Sequence, residues 1–190
     1  VLVVKYYELS NMKRLLRAYD QKHQPMDNRI VLFYTRNMLM MLCQLLDAQW
    51  IANGITLDGL LIGSSPDPLD TVYHADGRGG WSSRGLVLAG LPTALPADHH
   101  YITPLADNPV GHVQLDWLPC QSSLLQLLHC DDPASLSPQW QQLFLVLSNP
   151  VGDVNSLRSC IQQIDALLQS TTNPTLKALI VRQEMMLMSL

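Results

Sequence analysis

The segment from 29 to 52, RIVLFYTRNMLMMLCQLLDAQWIA, sets the terms on which the rest of the chain must fold. Apolar side chains fall on most faces of a 3.6-residue helix here, so a helix must be wrapped by other elements. Its most apolar part, residues 31–46, carries Arg36 and Asn37 near the middle. No run in the chain reaches the ~18 apolar residues that a membrane span needs. The segment therefore reads as a buried core helix of a soluble chain. Asn53-Gly54 follows it, a pair favoured where a helix closes through a left-handed residue.

Residues 1–20 read as an amphipathic helix, with Leu2, Tyr6, Leu9, Met12, Leu16 and Tyr19 on one stripe and Lys13, Arg14 and Arg17 off it. Pro25 breaks it, and Asp27 or Asn28 supplies a cap for the next helix. The opening VLVV with Lys5, Tyr6 and Tyr7 reads equally as the end of a membrane span with its interfacial belt or as the first turn of a core helix. A length of 190 residues suits one domain, or one domain with a helical appendage. Hydrophobic residues make up 47% and charged residues 15%, too apolar for a disordered chain. The net charge is −4 with Lys and Arg scattered, so the basic footprint of nucleic-acid binding is missing.

After Gly54 the pattern changes from helix to strand. LDGLLIGSS, DTVYHAD, GWSSRGLVLAG, HHYITPLAD and VGHVQLDWLP are short β-prone runs punctuated by proline and by Asp76-Gly77 and Asn108-Pro109. YITPLA, the turn DNPVG and HVQLDWL read as a hairpin whose second arm alternates Val113, Leu115 and Trp117 with Gln114 and Asp116. Residues 121–129 return to helix, DDPASLSP is a loop or cap, WQQLFLVL is strand or helix, and 153–169 and 174–190 are closing helices. The expected fold is α+β: long N-terminal helices, a central antiparallel PAS-like sheet and C-terminal helices. The expected division is a unit over residues 1–130 and a helical C-terminal extension over 131–190.

Chemistry-bearing residues are sparse. GRGG at 77–80 lacks a following helix N-terminus and reads as a turn of a β-hairpin around Asp76-Gly77, without a phosphate-loop role. His99 and His100 are adjacent and would face opposite ways on a strand, and His23, His74, His112 and His129 stand alone, so no metal site is expected. No Gly-x-Ser-x-Gly elbow accompanies Ser82-Ser83. Asp131-Asp132 reads as part of a capping loop. Cys43, Cys120, Cys130 and Cys160 lack zinc-ligand spacing and read as buried free thiols, with a Cys120–Cys130 disulfide as the alternative in an oxidising compartment. Met38, Met40, Met41, Met185, Met186 and Met188 read as helix-packing residues. No cofactor is expected.

TVYHADGRGGWSS and YITPLADNPVGHVQLDWLPCQSSLLQLL together resemble the Cache (PDC-type) extracytoplasmic sensor domain over residues 1–130. The resemblance implies a non-enzymatic sensory domain of a transmembrane signalling receptor, of the histidine kinase, chemoreceptor or diguanylate cyclase type. Its place would be the periplasmic side of a bacterial inner membrane, in a membrane-anchored parent protein. It further implies a small-molecule ligand or a periplasmic protein as partner, and a homodimer formed through the N-terminal helices. Carried onto this sequence, the ligand-binding residues are Tyr73, Trp81 and Arg84 on one wall of a pocket and Tyr101 and Asp116 on the other. The competing reading, from the Leu-, Met- and Gln-rich helices and the low charge, is a cytosolic helical scaffold or chaperone-like interaction protein.

Overall fold

In the computed structural model, Asn11 starts the first helix, its side chain accepting the Arg14 amide at 2.9 Å. Residues 11–52, 54–62, 86–88, 95–96, 109–148, 154–169, 178–180, 182–183 and 185 are described. Helix α1 (Met12–Gln21) buries Met12, Leu15 and Ala18, three residues apart along one side. Leu16 and Tyr19, expected on that stripe, flank it half-buried. The helix closes with the Gln24 amide on the Tyr19 carbonyl and the His23 amide on the Asp20 carbonyl. That double closure places His23 at φ 51°, a left-handed conformation more often given to glycine.

Helix α2 (Asn28–Asp47) is the helix expected from residues 29–52, shortened at its far end. Asp27 caps it by accepting the Arg29 amide, and the Arg29 guanidinium folds back onto the same carboxylate at 2.7–2.9 Å. That bonding holds the Asp27 carboxyl below its ordinary range. Ile30, Val31, Phe33, Tyr34, Met38, Leu39, Leu42 and Cys43 are buried along its length. The helix ends at Asp47 because Gln49 takes the left-handed turn at φ 56°, not Asn53-Gly54. The chain between them becomes strand β1 (Trp50–Ile51), followed by β2 (Leu60–Ile62), β3 (Leu86–Leu88) and β4 (Leu95–Pro96). The strands form two antiparallel pairs: β1 with β4 through Ile51 opposite Leu95, and β2 with β3 through Leu61 opposite Val87.

Here the expected fold class is corrected. The described residues are mostly helical, and the strands make two short pairs where a central antiparallel PAS-like sheet was expected. The clearest departure is α3 (Pro109–Leu127), a 19-residue helix that runs through the expected hairpin arm, HVQLDWL at 112–118, into the helix expected over 121–129. Pro109 sits at its first position, where a proline's missing N–H costs nothing, and Pro119 is accommodated inside it. The alternation of Val113, Leu115 and Trp117 looked like a strand. The residues buried further along, Asp116, Trp117, Cys120, Ser123, Leu124 and Leu127, recur at helical spacing instead. The α3 helix closes as α1 does, with His129 at φ 50° and the Cys130 amide on the Leu125 carbonyl.

Beyond it, Asp132 caps a single 3₁₀ turn (Pro133–Ser135) by accepting the Ala134 amide, and α4 (Pro138–Leu147) and α5 (Val154–Gln169) follow. The segment WQQLFLVL is thereby helical. One cluster of buried side chains runs from Met12 through α2, α3, α4 and α5 to Ile180, so the core draws on both sides of residue 130. Near the C-terminus Gln183 is buried and donates its side-chain amide to the Tyr34 hydroxyl.

Within this core α2 packs mainly on α5. The Arg36 guanidinium, which interrupts the apolar run of α2, meets Asp165 of α5 at 2.5 Å and 3.3 Å, and Asp47 receives Arg158 at 2.8 Å. By length and composition α2 is apolar enough to cross a membrane, yet half of that stretch is buried inside the protein. The Arg36 and Asp165 side chains keep only 13% and 23% of their exposure, between the surface and interior regimes. Removing one partner, as in Arg36→Leu, is expected to cost roughly 1–3 kcal/mol. The double variant Arg36→Leu/Asp165→Leu should recover most of that loss in a urea-denaturation double-mutant cycle. Additive losses would show that the two charges act independently.

Candidate functional site

The described residues bring one arrangement of polar groups together at depth, and it surrounds the loop between β1 and β2. Asp116, 4% exposed on α3, accepts the Ala52 amide at 2.8 Å and the Gly54 amide at 2.9 Å, one on each carboxylate oxygen. Ser123, two turns further along the same helix, donates to the Ile55 carbonyl at 3.2 Å. From the other side the Lys13 amide of α1 reaches the Leu57 carbonyl at 3.2 Å, and the Gly59 amide closes onto Thr56 at 3.0 Å. Irregular backbone at this depth has no ladder to bond to, and α1 and α3 supply the missing partners. Gly54 stands at φ 119°, where a side chain would be strained, although nothing lies within 4 Å of where a Cβ would point. The glycine is thus required by backbone conformation and not by crowding.

The loop is well fixed but poor in reactive groups. Its carboxylate, Asp58, is about 59% exposed and tied to the Lys13 ammonium at 2.7 Å. Neighbouring Cys120 is fully buried, and that burial, aided by the Asp116 carboxylate, pushes its thiol up to about 12. At neutral pH it is a protonated packing group and a poor nucleophile. Beside Asp116, the Trp117 ring is 2% exposed and its indole N–H has no partner among the described residues.

Of the five residues expected to line a ligand pocket, Asp116 is a helix residue bonded to backbone amides. Tyr73, Trp81, Arg84 and Tyr101 lie outside the described residues, as does the Asp76-Gly77 turn. Cys120 and Cys130 are both free thiols, the latter engaged with Ser135 and the Asp132 carbonyl at 3.1 Å. His129 approaches Asp20 at 3.7 Å on the surface. Among the described residues no group of three or more His, Cys, Asp or Glu side chains converges as metal ligands would. Sequence reasoning singled out Asp116 but did not foresee its backbone partners. Its partners are backbone amides more than 60 residues away, which leave no side-chain signature.

Among solved structures the chain is similar to the BubR1 kinase domain, with a TM-score of 0.69 over 96% of this chain. The two share 14% sequence identity, so the likeness is one of fold, and the match spans 62% of that solved chain. No family model and no curated protein matches the chain.

Proposed function

We propose that this chain is a kinase-like module that does not transfer phosphate and acts through binding. What supports this is the loop from Ala52 to Gly59. In protein kinases a loop reading H-R-D-L-x-x-x-N supplies the catalytic Asp and a metal-binding Asn, and a D-F-G segment supplies a second metal ligand. Here the eight residues between Ile51 and Leu60 read A-N-G-I-T-L-D-G, a loop whose one carboxylate is Asp58. Neither H-R-D nor D-F-G occurs in the 190 residues. The loop retains its anchoring through Asp116 and Ser123, while the carboxylate it does carry is exposed and held by Lys13. A fold kept in order without the groups for its chemistry is suited to presenting surface. The scaffold reading from the helical composition agrees with this; of the two hairpins behind the sensor reading, the first lies outside the described residues and the second runs into α3.

The test is phosphate transfer from radiolabelled ATP with magnesium, by the full-length protein, onto itself and onto dephosphorylated casein. Incorporation is expected to equal the protein-free background and to be the same in Asp58→Asn. Incorporation above background that disappears in Asp58→Asn would overturn the proposal, because Asp58 would then be acting as the base.

A further inference from the structure

The first turns of α2 leave a cavity of about 400 Å³ against α4 and α5, and neither Asp116 nor its loop partners is among its described lining residues. Its floor is apolar, made by Leu32 of α2, Trp140 and Leu143 of α4, and Ile164 and Leu167 of α5. Trp140, Leu143 and Ile164 are each under 8% exposed, so these side chains are fixed by the core and form a preset surface. Four carboxamides stand around the floor: Asn28, Gln139, Gln142 and Gln163. Among the described residues the lining contains no Asp, Glu, Lys, Arg or His; the Cys160 thiol is its ionisable group there, and burial pushes it above its ordinary range.

That composition selects a chemical class. A charged ligand would give up its hydration here with no opposite charge among the described lining residues to receive it. A neutral ligand gains from the apolar floor at about 25 cal/mol per Å² of buried apolar surface. Carboxamides both donate and accept, so they suit carbonyl, hydroxyl or amide groups equally. The volume falls within the range of roughly 300–1,000 Å³ found for small-molecule sites. We infer that this cavity binds an uncharged small molecule, apolar through most of its body and carrying one or two hydrogen-bonding groups that meet the carboxamide rim. The inference does not depend on whether the chain transfers phosphate. Because the site joins α2 to α4 and α5, which lie far along the sequence from it, its ligand stabilises the folded state by mass action.

Nile red, a neutral dye that brightens in apolar surroundings, is the probe, used with the full-length protein. Saturable binding of one dye per chain is expected, with emission shifted to the blue. At saturation, N-ethylmaleimide labelling of Cys160, followed by mass spectrometry, should slow while labelling of the more open Cys130 is unchanged. Ala166→Trp, which fills the mouth of the cavity from α5, should weaken dye binding by about tenfold or more. Dye uptake that never saturates overturns the inference, as does saturable binding that leaves Cys160 labelling unchanged. Cys160 protected by an added partner protein and not by the dye also overturns it, assigning the cavity to a partner's side chain. If Ala166→Trp melts early, Cys160 in the unsubstituted protein decides the matter: slowed labelling supports the site, and unslowed labelling removes it.

Discussion

Replacing Asp116 by Ala is expected to destabilise the protein by roughly 3–5 kcal/mol, since it removes two hydrogen bonds to an ionised acceptor worth about 1.5–3 kcal/mol each. The Ala52 amide is buried and would be left without that acceptor. Against a total stability of about 5–15 kcal/mol this is a large share. Asp116→Asn keeps one acceptor oxygen but turns an NH₂ group toward the second amide, so it should cost about half as much or more. Urea denaturation measures both: the midpoint falls while the slope is unchanged if the native fold is otherwise intact. A shift in Asp116→Ala below about 1 kcal/mol would mean that water replaces the carboxylate, and the loop would then not depend on α3.

The neighbouring position gives the second large effect, by a different mechanism. Trp117 is among the largest fully buried side chains. Trp117→Ala opens a cavity and should cost about 3–5 kcal/mol, which lowers the melting temperature by roughly 10 °C for a domain of this size. Trp117→Phe keeps most of the apolar volume and removes an indole N–H that has no partner among the described residues. It should therefore cost well under half of the alanine loss, a small penalty for a truncation so deep in the core. If the phenylalanine variant melts as low as the alanine variant, the indole N–H makes a bond that the protein needs.

These two residues also show what could be read from the sequence. The long apolar helix was legible because its pattern runs for 20 residues and needs no partner to be recognised. Residues 153–169 were legible for the same reason and form α5 over Val154–Gln169. The first half of α3 was not, because two prolines and a short alternation mimic a hairpin arm, while the deciding spacing, from Asp116 to Leu127, joins it to the helix expected over 121–129. The end of α2 was misplaced because the left-handed residue that closes it, Gln49, is not glycine. His23, Gln49 and His129 take that conformation, held by the closing hydrogen bonds around them, and no local rule singles them out. The anchoring role of Asp116 was hidden because its partners are main-chain amides brought near by the fold.

The partners of α2 have a consequence for how the chain is made. Arg36, Asp47 and Tyr34 meet residues that follow them by 129, 111 and 149 positions. A ribosome adding about 5–20 residues per second needs roughly 6–30 seconds to supply them. Throughout that interval the nascent chain carries an apolar 20-residue helix whose covering does not yet exist. Holding factors and membranes compete for such a segment, and a charge at its centre costs about 2.5–3.5 kcal/mol on insertion. Arg36 thus serves twice in sequence: before Asp165 emerges it counts against the lipid, and afterwards it closes the core.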